Sequence, residues 1–275
     1  MRERALAYNG GMNETPTSRL EALWGATGLA RLQAATVMVV GSGGVGSNCI
    51  EALARGAVGT IIVVDGDEVA ASNMNRQAVA WTDTLGMRKV DAVRALVERI
   101  SPRTRVIARD AFLLPGDVAV LIADCRAEAG GRIDYIVDAI DTVSTKLELA
   151  ACAQELCIPI VSSMGGAMKL YPELLRFADI YDTQGDALAR VIRKGCRKRG
   201  IRQLDVLYSP ETPLDPPSSE KAPGASGAAN GEERSAARKR PPLGTTSYLP
   251  PIMGQMLAGF VMRRILGIGA AGDAR

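Results

Sequence analysis

The residues from 36 to 46 constrain the fold more than any other part of the sequence. The apolar run TVMVV (36–40) leads directly into the glycine cluster GSGGVG (41–46). The run predicts a strand that is buried on both faces, and residues 48–55 predict a helix. A second apolar run, IIVV (61–64), predicts another buried strand. Together these segments predict a βαβ unit with parallel strands.

Strands and helices continue to alternate after this unit. Helices are predicted at 88–100, 117–125 and 145–157, and strands at 105–108, 135–140 and 158–162. We therefore predict an α/β fold built on a doubly wound, Rossmann-type and mostly parallel sheet. A smaller C-terminal α+β extension follows, with a strand and turn at 169–182, a basic helix at 187–199, a strand at 205–208 and a helix from 245 to about 265.

The composition excludes several kinds of chemistry. The chain of 275 residues contains no histidine, so a Ser-His or Cys-His nucleophile pair and a histidine-bound metal are excluded. Its five cysteines form no CxxC pair, which argues against a four-cysteine zinc site and against a secreted disulfide framework. A reducing compartment, the cytoplasm, is expected. The formal charge of +3 permits an anionic substrate without requiring nucleic acid.

Neither a secretory signal nor an integral membrane span is expected. The first 20 residues lack an apolar core behind their charges. The longest apolar stretch, 252–262, is too short to cross a bilayer. We interpret it as a buried or interface helix.

The glycine cluster predicts a phosphate-binding loop. Gly41, Gly43, Gly44 and Gly46 lie between a strand and a helix, where the backbone approaches a phosphate closely and the first helix amides can bind it. Asp65 follows Gly46 by 19 residues, at the end of the second strand, where an acidic side chain binds a ribose hydroxyl. This pattern alone fits NAD as well as ATP, and a purely structural turn is the remaining alternative.

The residues that follow favour ATP over NAD. Asp67, Asn73 and Gln77 accompany two cations, Arg76 and Lys89, near the expected carboxyl edge of the sheet. Two cations suit a triphosphate, whose charge must be neutralised as pyrophosphate leaves. Taken singly, each cation is also compatible with a solvated surface. A nicotinamide oxidoreductase remains an alternative, although it leaves both cations without a role.

A magnesium site is predicted after the fourth strand. The sequence VDAIDT (137–142) places two carboxylates, Asp138 and Asp141, at the carboxyl end of that strand. Mg²⁺ prefers one or two carboxylates together with phosphate oxygens. We favour Asp141 as the metal ligand because it lies in the loop, with Thr142 beside it as a nucleotide contact. Asp138 is the competing candidate, and hydrogen bonding at the strand end is its alternative role.

These motifs together resemble the ubiquitin-activating-like adenylating superfamily, which includes ThiF, MoeB and HesA. The resemblance is carried by GSGGVG, DGDEVAASNMNRQ, GMRKVDA and VDAIDTVSTK and covers about residues 18–165. It implies that ATP converts a carboxylate into an acyl-adenylate. The matching positions imply these contacts: Gly41 and Gly44 with the phosphates, Asp65 with the ribose, Asn73, Arg76 and Lys89 with the phosphates, and Asp141 with Mg²⁺.

Further segments resemble the tRNA threonylcarbamoyladenosine dehydratase family within that superfamily. They are SRLEALWG (18–25), ADIYDT (178–183), KRGI (198–201), YSPE (208–211) and GTTSYLP (244–250). The resemblance implies adenylation of the threonyl carboxylate of threonylcarbamoyladenosine in tRNA, followed by cyclisation with release of AMP and pyrophosphate. It also implies a homodimer in which Arg19 reaches the partner subunit's phosphates. The implied catalytic residues are Arg19, Arg76, Lys89 and Asp141.

The resemblance divides the chain into three parts. Residues 1–35 form an N-terminal helical segment, 36–165 an ATP-binding adenylation domain, and 166–275 a region for substrate binding and dimerisation. The run MGGAM (164–168) departs from the family's glycine–alanine–asparagine pattern. Residues 213–244 are rich in Pro, Gly, Ser, Ala and charge and carry few large apolar residues, which predicts a disordered insertion.

The main alternative is an adenylyltransferase that activates the C-terminal Gly-Gly carboxylate of a ubiquitin-like sulfur-carrier protein. Relatives in molybdopterin synthesis usually carry two CxxC pairs for zinc, which this chain lacks. A cysteine that accepts the acyl group would be Cys196, since Lys194 and Arg197 lie beside it and cations lower a thiol pKa. An inert cysteine on the surface of the helix is the simpler interpretation. A non-catalytic partner subunit is a third alternative, and a sulfur-transfer protein is a candidate partner.

A basic cluster predicts where tRNA binds. Its six cations lie within ten residues: Arg193, Lys194, Arg197, Lys198, Arg199 and Arg202. Contact with an RNA backbone predicts salt-sensitive binding without base specificity, and a solvated face is the alternative. A second basic group, 238–240, lies in the predicted insertion. No DNA partner is predicted.

Overall fold

The computed structural model describes residues 14–215 and 243–269. The predicted insertion falls largely outside these ranges, as does the basic group at 238–240. The helices are α1 (Ser18–Gln33), α2 (Gly44–Arg55), α3 (Lys89–Ile100), α4 (Val118–Glu128), α5 (Val143–Glu155), α6 (Ala187–Arg199) and α7 (Leu249–Leu266). The strands are β1 (Thr36–Val40), β2 (Thr60–Asp65), β3 (Arg105–Asp110), β4 (Tyr135–Asp138), β5 (Ile160–Ser163), β6 (Arg176–Asp179) and β7 (Asp205–Tyr208). Each predicted strand and helix is present, with ends that differ by a few residues.

The seven strands form one sheet in the order β3-β2-β1-β4-β5-β7-β6. β1 pairs in parallel with β2 and β4, so that Val39 lies opposite Val63 on one side and Val137 on the other. The order of the strands reverses between β1 and β4. In open α/β sheets, ligands bind outside the carboxyl ends of the strands at such a switch point. The predicted doubly wound, mostly parallel fold is confirmed.

Alternate residues of β1 fill two separate cores, because successive side chains of a strand point to opposite faces. Val37 and Val39 join the core beneath α2, α3 and α7. Met38 and Val40 join the core beneath α4 and α5. Since all five residues of β1 are buried, this strand holds the following glycine loop at a fixed place in the sheet.

The predicted C-terminal α+β extension is built onto the same sheet. β7 pairs in parallel with β5, where Ser162 lies opposite Val206, and β6 runs antiparallel along the outer edge of β7. A third apolar core, which includes Leu147 and Ile192, joins α5 and α6. The boundary predicted at residue 165 thus falls between strands of one sheet, and the division into three parts stays a prediction.

The apolar stretch 252–262 lies within α7, which packs along α2. Met253, Leu257 and Val261 of this helix are fully buried, in the core that α7 shares with α2. Within residues 14–215 and 243–269, none of the helices combines the length and the apolar character needed to cross a membrane.

Candidate active site

A cleft of about 610 Å³ opens at the carboxyl edge of the sheet, at the switch point between β1 and β4. The loops that follow β1 to β5 all contribute to its lining. Eleven of the twelve predicted nucleotide-binding residues line it: Gly41, Gly43, Gly44, Asp65, Asp67, Asn73, Arg76, Gln77, Lys89, Asp141 and Thr142. The twelfth, Gly46, lies behind the loop in the first turn of α2.

Two backbone requirements shape the glycine loop. Gly41 has a φ of 89°, a conformation that residues with a side chain rarely adopt. Gly46 has no room for a side chain, because a Cβ there would lie 1.8 Å from the Gly41 carbonyl oxygen. The N-cap of α2 is Gly43, and no side chain of the described residues caps this helix. The first amides of α2 are therefore available to an anion in the cleft.

Two buried polar residues of α2 tie the glycine loop to the segment that carries Arg76. Ser47 Oγ donates to the Gly43 carbonyl at 2.7 Å and accepts from the Ala78 amide at 3.0 Å. Asn48 Nδ2 donates to the carbonyls of Gly44 and Arg76, at 2.7 Å and 3.0 Å. Sequence patterns did not identify either residue. The available signal was a pair of polar side chains on what becomes the inner face of a helix.

Asp65 is held firmly by the protein. Its Oδ2 accepts from the amide and the hydroxyl of Ser42 at 2.7 Å and 2.9 Å, and its Oδ1 accepts from the Asp67 amide at 2.9 Å. The side chain is 8% exposed. Because a carboxylate offers about four acceptor positions, capacity for a ligand hydroxyl remains. The ribose contact stays a prediction.

The two predicted phosphate-binding cations have different partners. Lys89, at the start of α3, is buried, and its Nζ lies 2.7 Å from Asp67 Oδ2. Arg76 donates to the Ser72 carbonyl at 2.8 Å and to the Asn75 side-chain oxygen at 2.7 Å. Among the described residues, no carboxylate lies within 4.0 Å of the Arg76 guanidinium. Its positive charge is therefore not neutralised locally, which favours an anion in the cleft.

The two candidate metal ligands lie in different environments. Asp141 is exposed at the cleft, where its Oδ1 accepts from the Thr142 hydroxyl at 3.4 Å. Asp138 is buried, and its Oδ2 lies 3.0 Å from Lys146 Nζ and accepts from the Ser162 hydroxyl at 2.6 Å. Asp141 is thus the carboxylate that faces the cleft, as preferred from the sequence.

The donor set suits a magnesium ion that shares its coordination with phosphate. Within the part of the chain that the structure describes, no group of three or more His, Cys, Asp or Glu side chains is placed to hold a metal alone. Of the three carboxylates that line the cleft, Asp65 and Asp67 are paired with Lys89, which leaves Asp141 as the one without a cationic partner among the described residues. One such carboxylate matches the preference of Mg²⁺ for one or two protein carboxylates, with phosphate oxygens and water completing the shell. The metal role of Asp141 stays a prediction.

An apolar wall completes the cleft, and sequence patterns did not reveal it. Phe112 and Leu114, on the loop after β3, are 67% and 59% exposed although both line the cleft. Phe112 contacts Gly66, the residue that follows Asp65. Exposed apolar side chains in a ligand cleft suit the flat face of a base. A loop aromatic belongs to no helical or strand period, so the sequence carried no signal for it.

Arg19 does not line the cleft of its own chain. It lies near the start of α1, where its side chain is 93% exposed and its Nε is 3.8 Å from Glu14 Oε1. The predicted contact with a partner subunit's phosphates stays a prediction.

The members of the predicted tRNA-binding cluster do not all lie on the exposed face of α6. The exposed members are Lys194, Arg197, Lys198, Arg199 and Arg202. Arg193 instead faces the protein, where its Nη1 donates to the carbonyl and the hydroxyl of Thr183 at 2.8 Å and 2.6 Å. Arg193 is thus already engaged within the fold.

The exposed cations of α6 lie away from the cleft. α6 begins near Gly165, which Leu188 approaches, and ends near Gln154, whose Nε2 donates to the Gly200 carbonyl at 3.2 Å. Gly166 of the same loop lines the cleft, whereas Gln154 lies at the far end of α5. The exposed cations lie in the second half of α6 and just after it, toward the end that is farther from the cleft.

Cys196 is not an activated thiol. It is fully buried on α6, and burial raises its pKa to about 11 despite the neighbouring cations. All five cysteines are free. An inert cysteine fits the structure, but its predicted place on the helix surface is wrong, because Cys196 faces the apolar core between α5 and α6.

Comparison with known proteins finds similar sequences and structures. The model of the ThiF family matches residues 17–273. A tRNA threonylcarbamoyladenosine dehydratase of Bacillus subtilis is 36% identical over 250 residues, which cover 90% of this chain and 94% of that protein. The structure of the Escherichia coli tRNA N6-threonylcarbamoyladenosine dehydratase in complex with ATP is similar with a TM-score of 0.75 and 26% identity, covering 92% of this chain and 94% of that one. An adenylyltransferase and sulfurtransferase of Candida glabrata is 30% identical over 161 residues, which cover 58% of this chain and 35% of that protein.

Proposed function

Because this chain belongs to the ThiF family, we propose that it is an ATP-dependent tRNA threonylcarbamoyladenosine dehydratase. The observation that carries the proposal is the extent of the match to the Bacillus subtilis dehydratase, which includes both the cleft and the C-terminal strands. The cleft supports it chemically, since it combines a free helix N-terminus, the cations Arg76 and Lys89, and Asp141, an exposed carboxylate that is not paired with either cation.

The first step is adenylation of the threonyl carboxylate of the modified adenosine. The carboxylate attacks the α-phosphorus of ATP, and the bond to pyrophosphate breaks. The amides at the start of α2, together with Arg76 and Lys89, stabilise the charge that accumulates on the phosphates. Asp65 orients the ribose, and Asp141 would hold a Mg²⁺ ion, which when bound would neutralise phosphate charge.

The second step is cyclisation. A nitrogen of the ureido group attacks the activated carbonyl, forms the new C–N bond and loses its proton, while the former carboxylate oxygen leaves on AMP. The nucleoside thereby loses the elements of water. No protein nucleophile is needed, which agrees with a chain that lacks histidine and buries Cys196. The protein acts by positioning the reactants and neutralising charge.

The apolar wall gives the cleft a place for a base. With the ribose against Asp65, the adjoining surface is formed by Phe112 over Gly66 and by Leu114. We propose that the adenine of ATP packs there, because aromatic and aliphatic side chains bind the face of a base without requiring further polar groups.

The proposal includes a homodimer and a tRNA surface. Arg19 projects from α1 into solvent, which allows it to enter the cleft of a second copy. The exposed cations lie in the second half of α6 and just after it and do not line the cleft, so they would contact the tRNA backbone outside the modified nucleoside. The cytoplasm, as a reducing compartment, agrees with five free cysteines.

The alternative is activation of a sulfur-carrier protein, for which a sulfur-transfer protein would be the partner. The Candida glabrata relative, named as an adenylyltransferase and sulfurtransferase, matches only 58% of this chain. The dehydratase relative matches 90%. The greater coverage favours the dehydratase.

The deciding experiment measures pyrophosphate release from ATP and Mg²⁺ with and without tRNA that carries threonylcarbamoyladenosine. Mass spectrometry of the nucleoside follows. We expect stimulation by the modified tRNA and loss of the mass of one water molecule. Turnover that ignores modified tRNA but responds to a carrier protein ending in Gly-Gly would contradict the dehydratase and support the alternative.

A further inference from the structure

A buried ion pair lies directly beneath the cleft. Lys146 Nζ is 3.0 Å from Asp138 Oδ2, and both side chains are 1% exposed. Lys146 also donates to Ser162 Oγ at 3.1 Å and to the Ser163 carbonyl at 2.9 Å. The Ser162 hydroxyl donates to Asp138 Oδ2 at 2.6 Å. The other oxygen of Asp138, Oδ1, accepts from the Ile140 amide at 3.3 Å. Both carboxylate oxygens are therefore hydrogen-bonded.

The pair joins three elements whose loops form part of the cleft. Asp138 ends β4, Lys146 lies in the first turns of α5, and Ser163 ends β5. The loop between β4 and α5, residues 139–142, carries Asp141 and lines the cleft. The loop after β5 contributes Gly166 and Ala167 to the same cleft. The pair therefore fixes both loops from below without reaching the ligand.

The energetics argue for a positioning role. Taking two charges out of water costs several kcal/mol per ion, so apolar residues of similar volume often give equal or greater stability. Stability alone therefore does not require this pair. The Ile140 amide, one residue before Asp141, donates a hydrogen bond to Asp138. This bond indicates that the pair positions the loop that carries Asp141.

We propose that Lys146 and Asp138 are positioning residues that hold the 139–142 loop, and with it Asp141, in the orientation needed for adenylation. This inference rests on the proposed function, and it extends it to two residues outside the nucleotide-binding set. The ion pair acts by restraining the Ile140 amide. Neither side chain touches the substrate.

The first test is the double variant D138L/K146M, which removes the tether but leaves no uncompensated charge. We expect a melting temperature within a few degrees of that of the wild type. Hydrogen exchange at the Ile140 amide should accelerate at least tenfold, whereas the Ala139 amide, which donates to the Val40 carbonyl at 2.8 Å, should be unaffected. The rate of ATP–pyrophosphate exchange should fall at least tenfold with a smaller change in the dissociation constant of ATP.

A second double variant, D138N/K146Q, keeps the tether without the charges. The new amide oxygen at position 138 can accept from the Ile140 amide, and its NH₂ group can donate to the amide oxygen at position 146. The NH₂ group at position 146 can in turn donate to the Ser163 carbonyl. We expect the exchange activity of this variant to stay within threefold of the wild type. If D138L/K146M does not fold, the D138N/K146Q variant still tests the positioning role. A folded but inactive D138N/K146Q would overturn the proposal.

A second buried pair provides the matched control. Lys169 and Asp186 are 4% and 3% exposed, and Lys169 also donates to the Ser209 carbonyl at 2.9 Å. None of these residues contacts the 139–142 loop in the described structure. K169M/D186N should therefore leave the hydrogen-exchange rate of the Ile140 amide unchanged. A folded D138L/K146M with wild-type exchange activity would overturn the positioning role, whereas failure of the wild type to act on modified tRNA would instead overturn the proposed function.

Discussion

Lys89 Nζ lies 2.7 Å from Asp67 Oδ2 and 3.9 Å from Asp65 Oδ1, so the buried lysine is paired with two carboxylates at the edge of the cleft. These carboxylates balance its charge and hold its ammonium near the phosphate loop. A triphosphate would provide a stronger counter-charge within reach of the same group.

Replacement of Lys89 by methionine should lower the efficiency of ATP use. Loss of one charge-stabilising group in an enclosed site typically reduces the rate by about 10²–10³-fold. We expect a decrease of that size in kcat/KM for ATP, measured by ATP–pyrophosphate exchange. R99M, which removes an exposed cation from the last turn of the same helix, α3, is the control and should be neutral. An efficiency of K89M within threefold of the wild type would contradict the role.

Alanine substitutions at Gly43 and Gly46 should separate ligand binding from folding. At Gly43, with φ −72° and ψ −153°, the nearest atom to an added Cβ is Gln77 Nε2 at 3.9 Å. G43A should therefore fold normally but bind ATP at least tenfold more weakly, because the Cβ occupies space that a phosphate needs. G46A should be strongly destabilised, since its Cβ would meet the Gly41 carbonyl oxygen. Thermal unfolding measures the stability of each variant, and titration with ATP measures its affinity. Normal ATP binding by G43A would contradict the phosphate site.

Asp141→Asn should change the metal dependence of the reaction. An amide binds Mg²⁺ more weakly than a carboxylate, so the Mg²⁺ concentration for half-maximal exchange should rise at least tenfold. Because Asp141 is exposed, the free energy of unfolding should change by less than about 0.5 kcal/mol. D124N, at an exposed position of α4, serves as the control. An unchanged Mg²⁺ titration would remove Asp141 from the metal site.

The cysteines should differ sharply in reactivity. With a pKa of about 11 for Cys196, about one thiol in a thousand is ionised at pH 8. Since the raised pKa favours the protonated thiol, ionisation grows only as the pH rises toward that value. A thiol reagent should modify the exposed Cys157 first and reach Cys196 only on unfolding. C196A should keep dehydratase activity within twofold, and loss of activity without loss of stability would point to thiol chemistry.

Neutralising Lys194, Arg197 and Lys198 with glutamine should weaken tRNA binding mainly at low salt. Each lost phosphate contact reduces the slope of log K against log salt concentration by about 0.7–0.9. Binding at several salt concentrations measures this slope. A triple variant of the exposed Arg94, Arg99 and Arg103 is the charge-matched control. Equal affinity and slope for wild type and cluster variant would show that these cations form only a solvated face.

The sequence by itself determined the βαβ unit and much of the cleft. Short-range patterns carry this information: an apolar run predicts a buried strand, and glycines mark close approach of the backbone. Parallel strands also bring their carboxyl ends to one edge, which is why the sequence alone assigns Asp65 and Asp141 to one cleft.

Only the tertiary structure decided which polar side chains face inward. Asp138 and Asp141 are three residues apart, yet one is buried against Lys146 and the other is exposed at the cleft. Arg193 and Lys194 are adjacent, yet only Lys194 is exposed. The direction of each side chain depends on the element it occupies and on its packing partners. Likewise, Phe112 lies in a loop placed by the end of β3, and β6 and β7 join the sheet through pairing between segments distant in sequence. Such contacts depend on the whole fold, so no local pattern encodes them.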